Sequence, residues 1–226
     1  MQGKHHARKS GDLRTTPNHQ TSMILNRDSL PLFVRDIWFI ALLTCAAGAV
    51  GPTSAHAGGV PALLDDFSDA QRTNAGIDRL VIDDAALGGR SKARLSTEAG
   101  VLSVSGEIDP ARGQPGFVSI VLLLAPDGKP QDLSRFEGIR IRVEATQGML
   151  SVLAASTEVE NYDYHASFVT RSSDGLQEIR IPFSTMKRLW SEQTRLNLGT
   201  VASINLVASG LEKGTFAYKV DEIGFY

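Results

Sequence analysis

The sequence predicts an all-β protein, a single-domain two-sheet antiparallel β-sandwich that follows an N-terminal signal peptide. Three observations lead there. Apolar and polar residues alternate with a period of two in several runs, which is the signature of half-buried strands. Turn formers such as Pro126-Asp127-Gly128 and Ser172-Ser173-Asp174-Gly175 separate those runs. The only helical candidates are the short stretches Ser184–Trp190 and Asp69–Ile77, too little for a mixed or helical architecture.

The chain opens with a polar, basic stretch, residues 1–22, read as an over-extended start or a disordered tail, with Met23 the better start. Residues 23–57 read as a signal peptide. Ile37 to Val50 is a fourteen-residue apolar run. A transmembrane helix needs roughly twenty residues, whereas a signal core needs about seven to fifteen. Arg27 and Arg35 supply positive charge ahead of it, and Ala55-His56-Ala57 offers the small-x-small pattern for cleavage after Ala57. The expected product is exported, periplasmic or secreted, with no stable membrane span. An uncleaved anchor is one alternative. A lipoprotein with Cys45 modified is another, although Thr44 is larger than the residue usually found before such a cysteine.

Residues 58–226 then form one domain. Its 169 residues contain no cysteine and a single histidine, His165. No disulfide is available, so the core alone must hold the fold; a chain of this length buries about 70% of its unfolded surface. From Gly58 onward, 17 Lys and Arg stand against 22 Asp and Glu, which leaves no basic footprint for nucleic acid or an anionic membrane.

The strands can be placed in order. A strand opens near Ser91, and Val101–Ile108 alternates. Phe117–Leu124 is continuously apolar, so it should lie inside a sheet, covered on both faces. In Gly138–Glu144, Ile139, Ile141 and Val143 share one face while Arg140, Arg142 and Glu144 share the other. Leu150–Ala155, Tyr164–Thr170, Leu176–Phe183, Ser203–Val207 and Phe216–Phe225 complete a set of nine.

Several groups are candidates for chemistry. Gly88-Gly89 fits a tight turn, and Asp83, Asp84 and Ser91 could border a ligand groove beside it. Tyr162, Tyr164 and His165 form the most polar-aromatic segment; tyrosine faces suit sugar rings or protein interfaces. Alternation places Tyr164, Ala166 and Phe168 on one face and His165, Ser167 and Val169 on the other. Arg140 and Arg142 could border the same sheet. Trp190 reads as packing rather than stacking. No Gly-x-Ser-x-Gly elbow accompanies His165, one histidine cannot build a His-rich zinc site, and no thiolate exists. Only a carboxylate pair, Glu158 or Glu160 with Asp163, leaves a glycosidase route open. No cofactor is called for by these residues, and the chain reads as a non-catalytic binding domain.

The pieces Ile82-Asp83-Asp84, Gly88-Gly89-Arg90-Ser91, Gly106-Glu107-Ile108, Gly116-Phe117-Val118-Ser119, Gly138-Ile139, Ala166-Ser167-Phe168 and Ile181-Pro182-Phe183-Ser184 follow one another in order. That ordered set, from about Leu64 to Phe225, resembles the complex I intermediate-associated protein family. The resemblance implies a galactose-binding-like jelly roll, a fold shared with carbohydrate-binding modules, and an assembly or chaperone-like role with a protein partner. The chain departs from the family in its export signal and in Arg79-Leu80-Val81, where members carry a tryptophan. The fold relatives imply an alternative, an extracytoplasmic carbohydrate-binding module with a glycan as partner. They also imply a structural calcium between the first and last strands, for which Asp66 and Asp221 are the ligand candidates.

Overall fold

Alternation of branched apolar residues with polar ones lets a strand bury one face and solvate the other, and this pattern governs most of the fold. The computed structural model describes residues 59–226; the extension 1–22, the signal core Ile37–Val50, Cys45 and the cut after Ala57 lie outside the described residues. Among the described residues there are eleven strands: β1 Leu63–Asp65, β2 Leu80–Asp83, β3 Lys92–Glu98, β4 Val101–Ile108, β5 Gly116–Leu123, β6 Gly138–Gln147, β7 Met149–Ser156, β8 His165–Val169, β9 Gln177–Pro182, β10 Val201–Gly210 and β11 Gly214–Phe225. The nine expected strands are all found. The two additional ones, β1 and β2, are three and four residues long, too short to show a period.

Every strand pairing is antiparallel. One sheet runs β3-β4-β11-β6-β9, with β1 pairing the far end of β11; the other runs β2-β5-β10-β7-β8. The core lies between them. Ile139, Ile141 and Val143 face it from β6, Ile120 and Leu122 from β5, and Ile204 and Leu206 from β10. As its continuous apolar run requires, β5 is an interior strand with nearly every residue buried.

Neither helical candidate forms a helix. Asp69–Ile77 is a turn: the Asp69 carboxylate accepts the N–H groups of Gln71 and Arg72 at 2.7 and 2.8 Å, and Gly76 turns the chain at φ +73°. Side-chain acceptors of this kind compete with helical bonding. Ser184–Trp190 starts with one 3-10 turn, Phe183–Thr185. Lys187 then bridges Ala166, so tertiary pairing along the β8 edge overrides local helical tendency.

Candidate functional site

The Gly-Gly-x-Ser turn and the Gly-Phe-x-Ser strand meet inside the protein. Asp84 is 1% exposed. Its carboxylate accepts Ser91 N–H at 3.0 Å, Ser91 Oγ–H at 2.6 Å and Phe117 N–H at 3.3 Å. Ser91 Oγ in turn accepts Asp109 N–H at 3.0 Å. A Cβ on Gly89 would lie 2.2 Å from Asp84 Cγ, and one on Gly116 3.0 Å from Asp84 Oδ2, so both glycines make room for this carboxylate. Asp83 caps the short turn that follows β2, accepting Ala85 N–H at 3.0 Å. Of the expected groove residues, Asp84 and Ser91 are therefore an internal clamp and do not line an open groove.

Arg140 and Arg142 lie on β6 in the six-stranded sheet, whereas Tyr164 and His165 belong to the β8 region of the other sheet. The structure does not bring them together. Arg142 pairs with Asp221 at 2.6 Å, and Arg140 pairs with Glu222 and, at 3.6 Å, with Glu178. They join Lys219–Glu144 and Arg180–Glu178 on a charged outer face, where a groove of about 350 Å³ is lined by Arg94, Ser103, Ser105 and Lys219 among others.

Calcium does not fit the acidic pairs. Asp221 is occupied by Arg142. Asp65 is fully buried against Arg79, whose Nη2 donates to it at 2.8 Å. Asp66 accepts Ser68 N–H at 3.0 Å, and hydrogen bonds from Ser68 hold its carboxyl below the usual range. Among the described residues no group of three or more His, Cys, Asp or Glu is placed to hold a metal.

His165 faces the core side opposite Ala154 and its Nε2 meets the Thr194 carbonyl at 2.8 Å. Burial pushes the Tyr164 phenol up to about 12, and its ring sits edge-on to Tyr162 at 6.5 Å. Asp163 is fully buried and accepts the N–H groups of Leu189, Trp190 and Ser191 at 2.7, 3.1 and 2.6 Å. Glu158 takes Asn197 Nδ2. These carboxylates thus hold loops together and do not face each other across a cleft. Trp190, expected to pack, is 61% exposed.

The registers disclose a surface that motif reading missed. Residues paired across strands share a face. On the outer side of the five-stranded sheet one row reads Ile82, Ser119, Val207, Ser151 and Phe168; the next reads Leu80, Val121, Asn205, Leu153 and Ala166. Neither row contains a charge; Lys187 bridges Ala166 at the end of the second row. Ser119 Oγ and Asn205 Oδ1, on residues 3% and 4% exposed, find no hydrogen-bond partner among the described residues. Buried polar atoms without partners are rare in folded proteins. The signal was available in sequence: Gly116–Leu123, Met149–Ser156 and Val201–Gly210 contain no Asp, Glu, Lys or Arg.

Residues 66–220 match the Complex I intermediate-associated protein 30 family. The fold is shared with a family 11 carbohydrate-binding module of a cellulosomal cellulase from Clostridium thermocellum, at 19% identity and a TM-score of 0.50 over 71% of this chain and 93% of that one. A family 11 module of the same organism, in complex with a β-1,3-1,4-mixed-linked tetrasaccharide, gives 21% identity and 0.49 over 72% and 93%. An agarase gives 9% identity and 0.48 over 74% of this chain and 24% of its own. No curated protein matches the chain.

Proposed function

The chain belongs to the Complex I intermediate-associated protein 30 family, and we propose that it is a non-catalytic binding domain of the assembly-factor type, holding a partner protein against the outer face of its five-stranded sheet. One observation carries this reading: the two outer faces of the sandwich differ in charge. The six-stranded sheet presents ion pairs to water, while the rows through Ser119–Val207 and Val121–Asn205 present none. Depletion of charge is the compositional mark of an interface centre. The face is only partly open: Phe168 is 51% exposed, whereas Ser119, Val121, Ser151, Ala166 and Asn205 are buried. The family supplies the class of partner, and the export expected from Ile37–Val50 would place it outside the cytoplasm.

A photo-crosslinking residue at Val207, compared with one at Lys219 on the opposite sheet, tests this in intact cells. The expected result is a discrete protein adduct from position 207 and none from 219. Equal, diffuse labelling from both would remove the proposal. Mass spectrometry of the purified product tests export separately: Gly58 as first residue supports it, and an intact N-terminus counts against it.

A further inference from the structure

Two loops at the β8 edge are built to hold a large aromatic residue in water. The Asp163 carboxylate takes three consecutive N–H groups, from Leu189, Trp190 and Ser191. Arg188 crosses back to donate to the Asp163 carbonyl at 3.1 Å and to Asn161 Oδ1 at 2.7 Å. Asn161 Nδ2 meets Ser191 Oγ at 2.8 Å, and Gln193 Nε2 donates to the Arg188 carbonyl at 2.8 Å. The residue this scaffold presents is Trp190, 61% exposed. A buried carboxylate is costly unless fully hydrogen-bonded, and here it fixes the backbone that carries an exposed apolar ring. Burial of that ring cannot explain the arrangement. Preorganisation for a ligand can, because the loops need no ordering on binding.

The surroundings select the ligand. Asn161, Arg188, Ser191 and Gln193 lie on the same two loops as Trp190 and keep hydrogen-bonding capacity beyond the scaffold bonds (the second Asn161 Nδ2–H, the Ser191 hydroxyl proton and Gln193 Oε1), and Glu160 and Glu192 are exposed on or beside those loops. An apolar ring face beside amides and hydroxyls matches a sugar, whose C–H face stacks while its hydroxyls bond. The two glutamates disfavour an acidic sugar. We infer that the loops Asn161–Tyr164 and Arg188–Gln193 form a binding site for a neutral glycan, with Trp190 as its stacking platform. This site lies beyond Lys187 at the β8 end of the same sheet, and the inference does not depend on the partner reading.

The test is titration of the full chain, by calorimetry and indole fluorescence, with neutral oligosaccharides: cellohexaose, the mixed-linked β-1,3-1,4 tetrasaccharide, and galactan and mannan hexaoses. A Trp38→Phe background leaves Trp190 as the sole indole. The expected result is binding by at least one of them with a fluorescence change. Trp190→Ala should weaken it by about 30-fold or more, as for an interface tryptophan, with melting unchanged. Val207→Glu should leave it intact, so failure here and failure of the partner reading are told apart. No heat and no fluorescence change with any of these sugars at millimolar concentration would overturn the inference. So would full binding by Trp190→Ala, or a preference for an acidic oligosaccharide.

Discussion

Asp84 shows how one residue can explain a sequence motif. Its carboxylate gathers Ser91 and Phe117 from two separate strands' approaches, and two glycines stand clear of it. Hydrogen bonds to a buried charge contribute about 1.5–3 kcal/mol each when broken singly. Asp84→Ala should therefore lower stability by about 3 kcal/mol in urea unfolding, and Gly89→Ala should be comparably damaging because its Cβ has no room. A result within experimental error of the wild type for both would contradict the clamp. The spacing of Gly88, Gly89 and Ser91 was visible in the sequence. That Asp84 turns inward was not, because its partner Phe117 lies 33 residues away. Tyr164 gives a second residue-scale prediction. Its phenol is neutral in the fold up to about pH 12, whereas an unfolded tyrosine ionises near 10. The unfolded chain thus holds fewer protons between those values, and stability should fall as pH rises through that window. Spectrophotometric titration should show two tyrosines, Tyr164 and the buried Tyr218, ionising well above the free phenol, and ionisation of all four near pH 10 without unfolding would contradict it.

Strand β10 carries both sides of the account at the scale of an element. Leu206 points into the core and is fully buried, while its neighbour Val207 points to the outer face. Leu206→Ala should cost about 3 kcal/mol by removing core volume. Val207→Thr should cost little when measured by the same unfolding transition. Equal losses would mean that the two faces are not distinct. Strand existence was legible wherever alternation was strong, as in β4 and β6. Strands β1 and β2 were not, since they gain their hydrogen bonds only from β11 and β5. Loop structure was the least legible. The donors that Asp163 collects lie 26–28 residues downstream, so neither the clamp nor the exposure of Trp190 follows from local pattern. Sheet membership was likewise hidden: Arg140 and His165 lie 25 positions apart in the sequence and on different sheets.

The described residues form a sandwich whose two sheets differ on their outer sides, one carrying ion pairs and the other two rows without charge. Its described residues include no cysteine, and Cys45 is the only one in the chain. Thermal unfolding of the folded domain should therefore have the same midpoint with and without reductant; a reductant-dependent shift would reveal a covalent link between chains. The central claim is that the uncharged sheet face is the partner surface. The most direct measurement compares Val207→Glu with Lys219→Glu, one charge placed on each outer face, and reads affinity for the protein captured by crosslinking from position 207. An unpaired charge buried at an interface centre costs about 2–5 kcal/mol, so Val207→Glu should weaken the complex about 30-fold or more while Lys219→Glu leaves it within about twofold. Equal affinities for the two variants, with both melting like the unmodified protein, would contradict the account.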